Sequence, residues 1–155
     1  MSKYDQLIDQ GRETKREKDS QQDEINRLSA LIKQRYTKAL KKELPDFYEA
    51  LLKTNSWTKK KIYIPFLFFS IPKTIECLDM NYLFISKDGK LYKRHQKVFQ
   101  NRVSTKDVQI DEDQFVEELY SRIDTQMFHT KQNLEQILDS DIQEKAFEYF
   151  AQYLK

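Results

Sequence analysis

The spacing of apolar residues changes twice along this chain, and these changes limit the possible fold more than any other feature of the sequence. Apolar residues recur every three or four positions from Ile25 to Leu40, which predicts an amphipathic helix. Between residues 61 and 95 apolar residues are continuous or alternate, as they do in strands. Helical spacing returns after Asp111. This order of helix, sheet and helices predicts an α+β protein.

Residues 1–24 are a polar, charged arm that we separate from the rest of the chain. No large apolar residue lies between Ile8 and Ile25, so the arm cannot bury a face against a core. We expect a frayed helix or a disordered segment, with fraying at least to residue 20. Residues 25–155 are predicted to form a single α+β domain, since their number suits one core.

The N-terminal part of this domain is predicted to contain two helices. The first is the long amphipathic helix from Ile25. Pro45 has no amide proton and restricts the residue before it, so it is expected to end or kink that helix. The apolar residues Phe47, Tyr48, Leu51 and Leu52 are then assigned to a second helix.

The middle of the chain is predicted to form a small antiparallel sheet with strands near residues 61–71, 81–87 and 90–95, and a further short strand around 98–103. Asp88–Gly89 is the strongest short signal for a β-hairpin. A two-residue loop there would place Ile85 opposite Tyr92 and put both on one face of the sheet. Pro65 makes the first strand an edge strand or a bulged one.

Helix caps mark three C-terminal helices. Asp111 with Gln114 has the spacing of a capping box, as does Ser140 with Gln143, and Thr130 suits the start of a shorter helix between them. Apolar residues follow each cap at helical spacing.

Charge is distributed unevenly along the chain. Residues 33–106 carry 17 Lys/Arg and 6 Asp/Glu, whereas residues 107–155 carry 4 and 12. The basic region either attracts an anionic partner or is neutralised by the acidic region, within one molecule or between two copies.

Several classes of site are excluded or disfavoured. The only glycines are Gly11 and Gly89, so neither a phosphate-binding P-loop nor a dinucleotide fingerprint can form. Cys77 is the single cysteine, which excludes an intrachain disulfide and disfavours a zinc site. His95 and His129 lie 34 residues apart and are predicted to be surface residues. We therefore expect no catalytic residue, no cofactor and no metal, and the protein is interpreted as a non-enzyme.

The basic and aromatic middle region predicts a non-enzymatic, largely sequence-indifferent nucleic-acid-binding accessory protein, for DNA or RNA. Lysine and arginine attract phosphate by releasing counterions, and exposed aromatic rings stack on unpaired bases. Trp57 and Tyr92 are the predicted stacking residues. The competing interpretation is that lysines protect the edges of a hairpin from aggregation. The predicted nucleic-acid-binding residues are Trp57, Lys59, Lys60, Lys61, Lys87, Lys90, Tyr92, Lys93, Arg94, Lys97 and Arg102.

The alternative hypothesis is a protein-interaction module, adaptor or inhibitor, acting through its N-terminal helix or its acidic C-terminal helices and possibly as a homodimer. The stripe Ile25, Leu28, Ile32 and Tyr36 is then the partner interface. No membrane partner is expected, because no stretch reaches 18 apolar residues. The default location is the cytoplasm.

Overall fold

The α+β architecture is confirmed in the computed structural model, which describes residues 2–154. A long helix comes first, a five-stranded antiparallel sheet follows, and three shorter helices end the chain. The elements are α1 (Lys3–Leu52), β1 (Thr58–Phe66), β2 (Phe69–Asp79), β3 (Leu83–Ser86), β4 (Leu91–Phe99), β5 (Arg102–Ile110), α2 (Glu112–Asp124), α3 (Lys131–Asp139) and α4 (Ile142–Ala151).

One continuous helix replaces the two N-terminal helices that the sequence predicts. α1 is 50 residues long and contains Pro45. Proline inside a helix costs about 3 kcal/mol. Leu44, Phe47 and Leu51 continue the buried stripe of α1 on both sides of it, and each buried side chain of this size contributes roughly 1.5–3 kcal/mol. Burial therefore outweighs the local preference to end the helix.

The polar arm is helical in the structure and forms the first turns of α1. Ser2 caps it, because its hydroxyl accepts a hydrogen bond from the Asp5 amide at 3.1 Å. Every side chain from Ser2 to Asp23 is exposed. From residue 3 to residue 24, at 1.5 Å per residue, the arm is about 33 Å long.

The caps of the C-terminal helices agree with the sequence at two of three positions. Asp111 and Gln114 form the predicted capping box of α2, and Thr130 caps α3. The cap of α4 is Asp141, which accepts from the amide of Glu144. The prediction of Ser140 was wrong by one residue, because Ser140 ends α3, where its amide and its hydroxyl both donate to the Ile137 carbonyl.

The main core lies between α1, the three C-terminal helices and one face of the sheet. Phe47 stacks on Phe150 with ring centroids 4.6 Å apart, which joins the end of α1 to α4. The sheet contributes Leu78, Leu83, Ile85 and Leu91 to this core, and the β2–β3 turn contributes Met80.

The sheet has the strand order β1-β2-β3-β4-β5, so β1 and β5 are its edges. The single strand predicted near residues 61–71 is two antiparallel strands, because the chain reverses at Leu67–Phe68 and pairs Phe66 with Phe69. The apolar stretch is therefore divided between the two strands of a hairpin, and it is not covered on both faces. Pro65 lies in edge strand β1, as the sequence predicts.

The β3–β4 hairpin has a register that differs by one residue from the prediction. The Ser86 amide donates to the Lys90 carbonyl at 2.8 Å, so the loop contains three residues and ends at Gly89, whose φ is 89°. Ile85 pairs with Leu91, and Phe84 pairs with Tyr92. Tyr92 thus lies on the opposite face from Ile85, away from the helices.

The sheet curls so that β1 approaches β5, and a buried carboxylate bridges these two edges. The Tyr63 amide of β1 donates to Asp107 Oδ2 of β5 at 2.7 Å. A second, small core of Ile62, Cys77, Phe84 and Tyr92 fills the concave face. None of the helices described, within residues 2–154, is long and apolar enough to cross a membrane.

Candidate nucleic-acid interface

Four of the predicted phosphate-binding lysines have acidic partners in the fold. These pairs are partly exposed, so they are worth at most about 1 kcal/mol and are screened by salt. Their cations are nevertheless less available to a phosphate than unpaired ones. The pairs are Lys60–Asp79, Lys87–Glu76, Lys90–Asp88 and Lys93–Glu118.

Arg94 has a structural position that removes it from the predicted interface. Its Nε lies 2.9 Å from Asp107 Oδ1, and its Nη2 lies 3.1 Å from Asp107 Oδ2 and 3.1 Å from the Lys61 carbonyl. The guanidinium lies over the Phe84 ring, 4.9 Å from its centroid. Only 14% of the Arg94 side chain is exposed, and the hydrogen bonds to Asp107 raise the pKa of Arg94. Arg94 therefore closes the concave face and does not present its charge to solvent.

The two aromatic residues predicted to stack on bases are packed inside the fold. Trp57 is half-buried against the main core, and its Nε1 is buried without a hydrogen-bond partner among the described residues. Tyr92 is 7% exposed, and burial raises the pKa of its hydroxyl. Their residue type alone predicts stacking, whereas their burial follows from the strand register and the core packing, which the sequence does not show.

The remaining predicted cations lie on two projecting hairpins, together with two that the sequence analysis missed. We call residues 59–75 and 95–106 the outer hairpins. They contain seven Lys/Arg and no Asp/Glu. This absence of acid was visible in the sequence and would have identified Lys73 and Lys106. Six of these cations are exposed and form no ion pair within residues 2–154: Lys59, Lys61, Lys73, Lys97, Arg102 and Lys106.

Within residues 2–154, two ion pairs join the acidic C-terminal helices to the basic region. Lys41 of α1 lies 2.7 Å from Asp113, and Lys93, near the start of β4, pairs with Glu118. Both contacts lie on the helical side of the sheet. The cations of the outer hairpins stay exposed, so the acidic region does not cover them.

The stripe predicted as a partner interface belongs to the main core. Leu28, Ile32 and Tyr36 are buried, and Ile25 packs against the same cluster. The Tyr36 and Tyr120 rings lie 5.8 Å apart. The C-terminal helices of this chain thus cover the face of α1 that was predicted to bind a partner.

Four exposed aromatic residues of the middle region lie at the tips of the outer hairpins, where the sequence predicts no stacking residue; Tyr82, before β3, is a fifth exposed aromatic residue. Phe66, Phe68 and Phe69 surround the β1–β2 turn, and Phe99 precedes the β4–β5 turn. The length of the apolar stretch was the available signal, because 11 residues exceed an ordinary strand.

The groups with possible reactivity are not assembled into a site. Cys77 is fully buried, and burial, with the nearby Asp79, raises the pKa of its thiol to about 11. His129 Nε2 lies 3.0 Å from Asp124 Oδ1. Across residues 2–154 there is no group of three or more His, Cys, Asp or Glu side chains placed to hold a metal ion.

Comparison with protein-family models, curated proteins and solved structures finds no match for this chain.

Proposed function

We propose that this protein is a non-enzymatic, largely sequence-indifferent nucleic-acid-binding accessory protein, and that it binds the phosphate backbone with its outer hairpins. The observation that carries the proposal is the set of six exposed, unpaired cations on segments with no acidic residue. Five of the six are lysines, which attract phosphate as point charges and read base edges poorly. Binding by such a surface is strongly salt-dependent and indifferent to sequence.

The proposal includes a cytoplasmic location and no membrane or cofactor as partner. The free thiol of Cys77, which is buried, agrees with reducing surroundings. The lysines that carry ion pairs, such as Lys87 and Lys90, contribute less to binding than the unpaired ones.

Fluorescence anisotropy with labelled single-stranded DNA, duplex DNA and RNA at several salt concentrations tests the proposal, with polyglutamate as an anionic control. The triple variant Lys97→Gln, Arg102→Gln, Lys106→Gln is expected to reduce the slope of log K against log salt by about 2–3. The matched control, Lys33→Gln, Lys38→Gln, Lys42→Gln, makes the same charge change on exposed positions of α1 and should leave most of the slope intact. Equal losses in both variants would show that only net charge matters and would contradict the assigned surface.

A second candidate function, a protein-interaction module, adaptor or inhibitor, is favoured by the outer end of α1. Tyr4, Leu7 and Ile8 are exposed there on consecutive turns of one helix face. Such a face suits a helix of a partner or of a second copy. Light scattering after size exclusion should then show a salt-resistant dimer, or a partner complex, that the variant Leu7→Ser, Ile8→Ser no longer forms. The acidic face of α2 is the other surface that this candidate function would use.

A further inference from the structure

The tips of the outer hairpins expose more large apolar side chains than any other part of the described chain. Leu67 is 81% exposed and Phe68 is fully exposed. More than half of the large apolar side chains exposed within residues 2–154 lie on these tips: Phe66, Leu67, Phe68, Phe69, Ile71, Val98, Phe99 and Val103. An exposed cluster of this kind marks a binding surface.

Folding does not account for the residues at the β1–β2 turn. Leu67 has a φ of 52°, a left-handed conformation that is unfavourable for a branched side chain. The other tip uses Gln100 and Asn101 at positive φ, and asparagine tolerates this conformation well. Neither backbone preference nor burial favours Leu67 and Phe68 at their turn, so their apolar side chains point to a ligand.

A cleft lies between the two hairpins and has two chemically different walls. Its volume is about 420 Å³. Pro65, Leu67, Phe68 and Phe69 form the apolar wall. The polar wall is part of β5, where Ser104 and Thr105 supply hydroxyl groups and Lys106 supplies an unpaired ammonium group.

We propose that this cleft and the two tips bind unpaired nucleotides, with the phenylalanine rings stacking on bases and the β5 wall holding phosphate. The inference rests on the proposed function and deepens it by naming single-stranded nucleic acid as the ligand. A ring face opposite a cation and hydroxyl donors complements a flat base joined to a phosphate. In a duplex each base is already stacked on its neighbours, so its faces are closed to phenylalanine. Phenylalanine forms no hydrogen bonds, which agrees with indifference to sequence.

An anionic membrane is the competing ligand for a surface that is apolar and cationic. Two features favour nucleic acid. The β4–β5 tip ends in the polar pair Gln100–Asn101, which a bilayer would have to desolvate. The tips also contain no Trp or Tyr, the residues that are enriched at membrane interfaces.

The double variant Phe68→Leu, Phe99→Leu tests the stacking, because leucine keeps the apolar surface and removes the ring. Its affinity for labelled oligo(dT) is expected to fall at least about fivefold for each ring removed, while its affinity for a duplex of the same length stays unchanged. Phe68→Trp should preserve binding, and its fluorescence should be quenched by oligo(dT). The control is Phe128→Leu, Phe147→Leu, which changes two exposed rings elsewhere. Thermal unfolding verifies that each variant is folded.

The outcomes separate this inference from the function on which it rests. Equal binding of oligo(dT) by the wild type and the leucine variant, with salt dependence retained, would overturn the stacking and leave the proposed function in place. If the protein binds no nucleic acid but binds vesicles of phosphatidylcholine and phosphatidylserine, both proposals fail. Vesicle binding that survives in the leucine variant and is lost in Phe68→Ser, Phe99→Ser would assign the tips to a lipid surface.

Discussion

The helical body and the outer hairpins of this protein use apolar residues in opposite ways. In the body, formed by α1 from Ile25 onward, α2 to α4 and the inner ends of the strands, large apolar side chains are mostly buried in one core. In the outer hairpins they are mostly exposed, and every charged residue there is a cation. The body therefore provides stability, and the hairpins present a surface that is free to serve a ligand. This separation predicts that stability and binding respond to different substitutions.

The largest difference is expected between two phenylalanines. Phe115 is completely buried in the main core, so Phe115→Ala should reduce the free energy of unfolding by about 3–5 kcal/mol. Phe68 is fully exposed, and Phe68→Ala should change it by no more than about 0.5 kcal/mol. Urea unfolding followed by circular dichroism measures both. A large effect of Phe68→Ala would mean that the tip is packed in solution and would contradict the distinction between a buried body and exposed hairpins.

A substitution at the junction between the helical body and the outer hairpins should reduce the free energy of unfolding nearly as much. Asp107 is buried and holds both Arg94 and the Tyr63 amide. Asp107→Asn leaves the Arg94 guanidinium without its carboxylate, so we expect a loss of about 3 kcal/mol. Asp113→Asn is the matched control, because its partner Lys41 is exposed and such pairs contribute less than about 1 kcal/mol. Hydrogen exchange at the Tyr63 amide should accelerate in Asp107→Asn alone. Equal losses in the two variants would refute the bridge.

The small core of the concave face predicts a pH effect that depends on Cys77. Burial raises the pKa of its thiol from the usual 9.0 to about 11. The pKa of the thiol is higher in the folded state than in the unfolded state. The contribution of the protonated thiol to the stability of the folded state is therefore complete below pH 9 and is lost as the pH rises towards 11. The loss is about 2 kcal/mol. The difference between the wild type and Cys77→Ala isolates it from the titration of tyrosines. A native thiol that reacts rapidly with a disulfide reagent at pH 8 would contradict the burial.

The smallest effect is expected at the strained turn. Leu67→Asn replaces a branched residue at positive φ with one that tolerates it, and should increase the free energy of unfolding by about 0.5–1 kcal/mol. The same variant removes apolar surface from the cleft. A stabilised variant with weaker binding to oligo(dT) would support the separation of stability in the body from binding at the hairpins. Unchanged stability would show that the turn carries no strain.

Local signals in the sequence predicted the architecture wherever one residue type decides the conformation. The helix starts at Asp111 and Thr130 follow from side chains that accept from nearby amides. Asp88–Gly89 located a hairpin, but the glycine closes a three-residue loop, and this shifted the register. Pro45 does not end the helix, because the burial of its neighbours, a long-range effect, decides whether the helix continues.

The candidate site was predictable as a region and not as a set of side chains. Exposed lysines such as Lys61 and Lys97 were found from composition and charge alone. The ion pair of Arg94 with Asp107 joins residues 13 positions apart across a register that had not been established. No turn residue marks Leu67–Phe68, so the reversal that exposes the aromatic tips had no local signal.

The two outer hairpins are joined at Asp107, far from their tips, so a small change of angle there produces a larger displacement at the tips. Arg94 and Asp107 face each other six residues from the Gln100–Asn101 turn, a length of roughly 20 Å in an extended strand. A rotation of a few degrees about this point opens or narrows the gap between the tips by about an ångström. The width of the gap therefore depends on the angle between the hairpins, and the hydrogen bonds that link them, from the Tyr63 amide to Asp107 and from Arg94 to the Lys61 carbonyl, lie far from the tips.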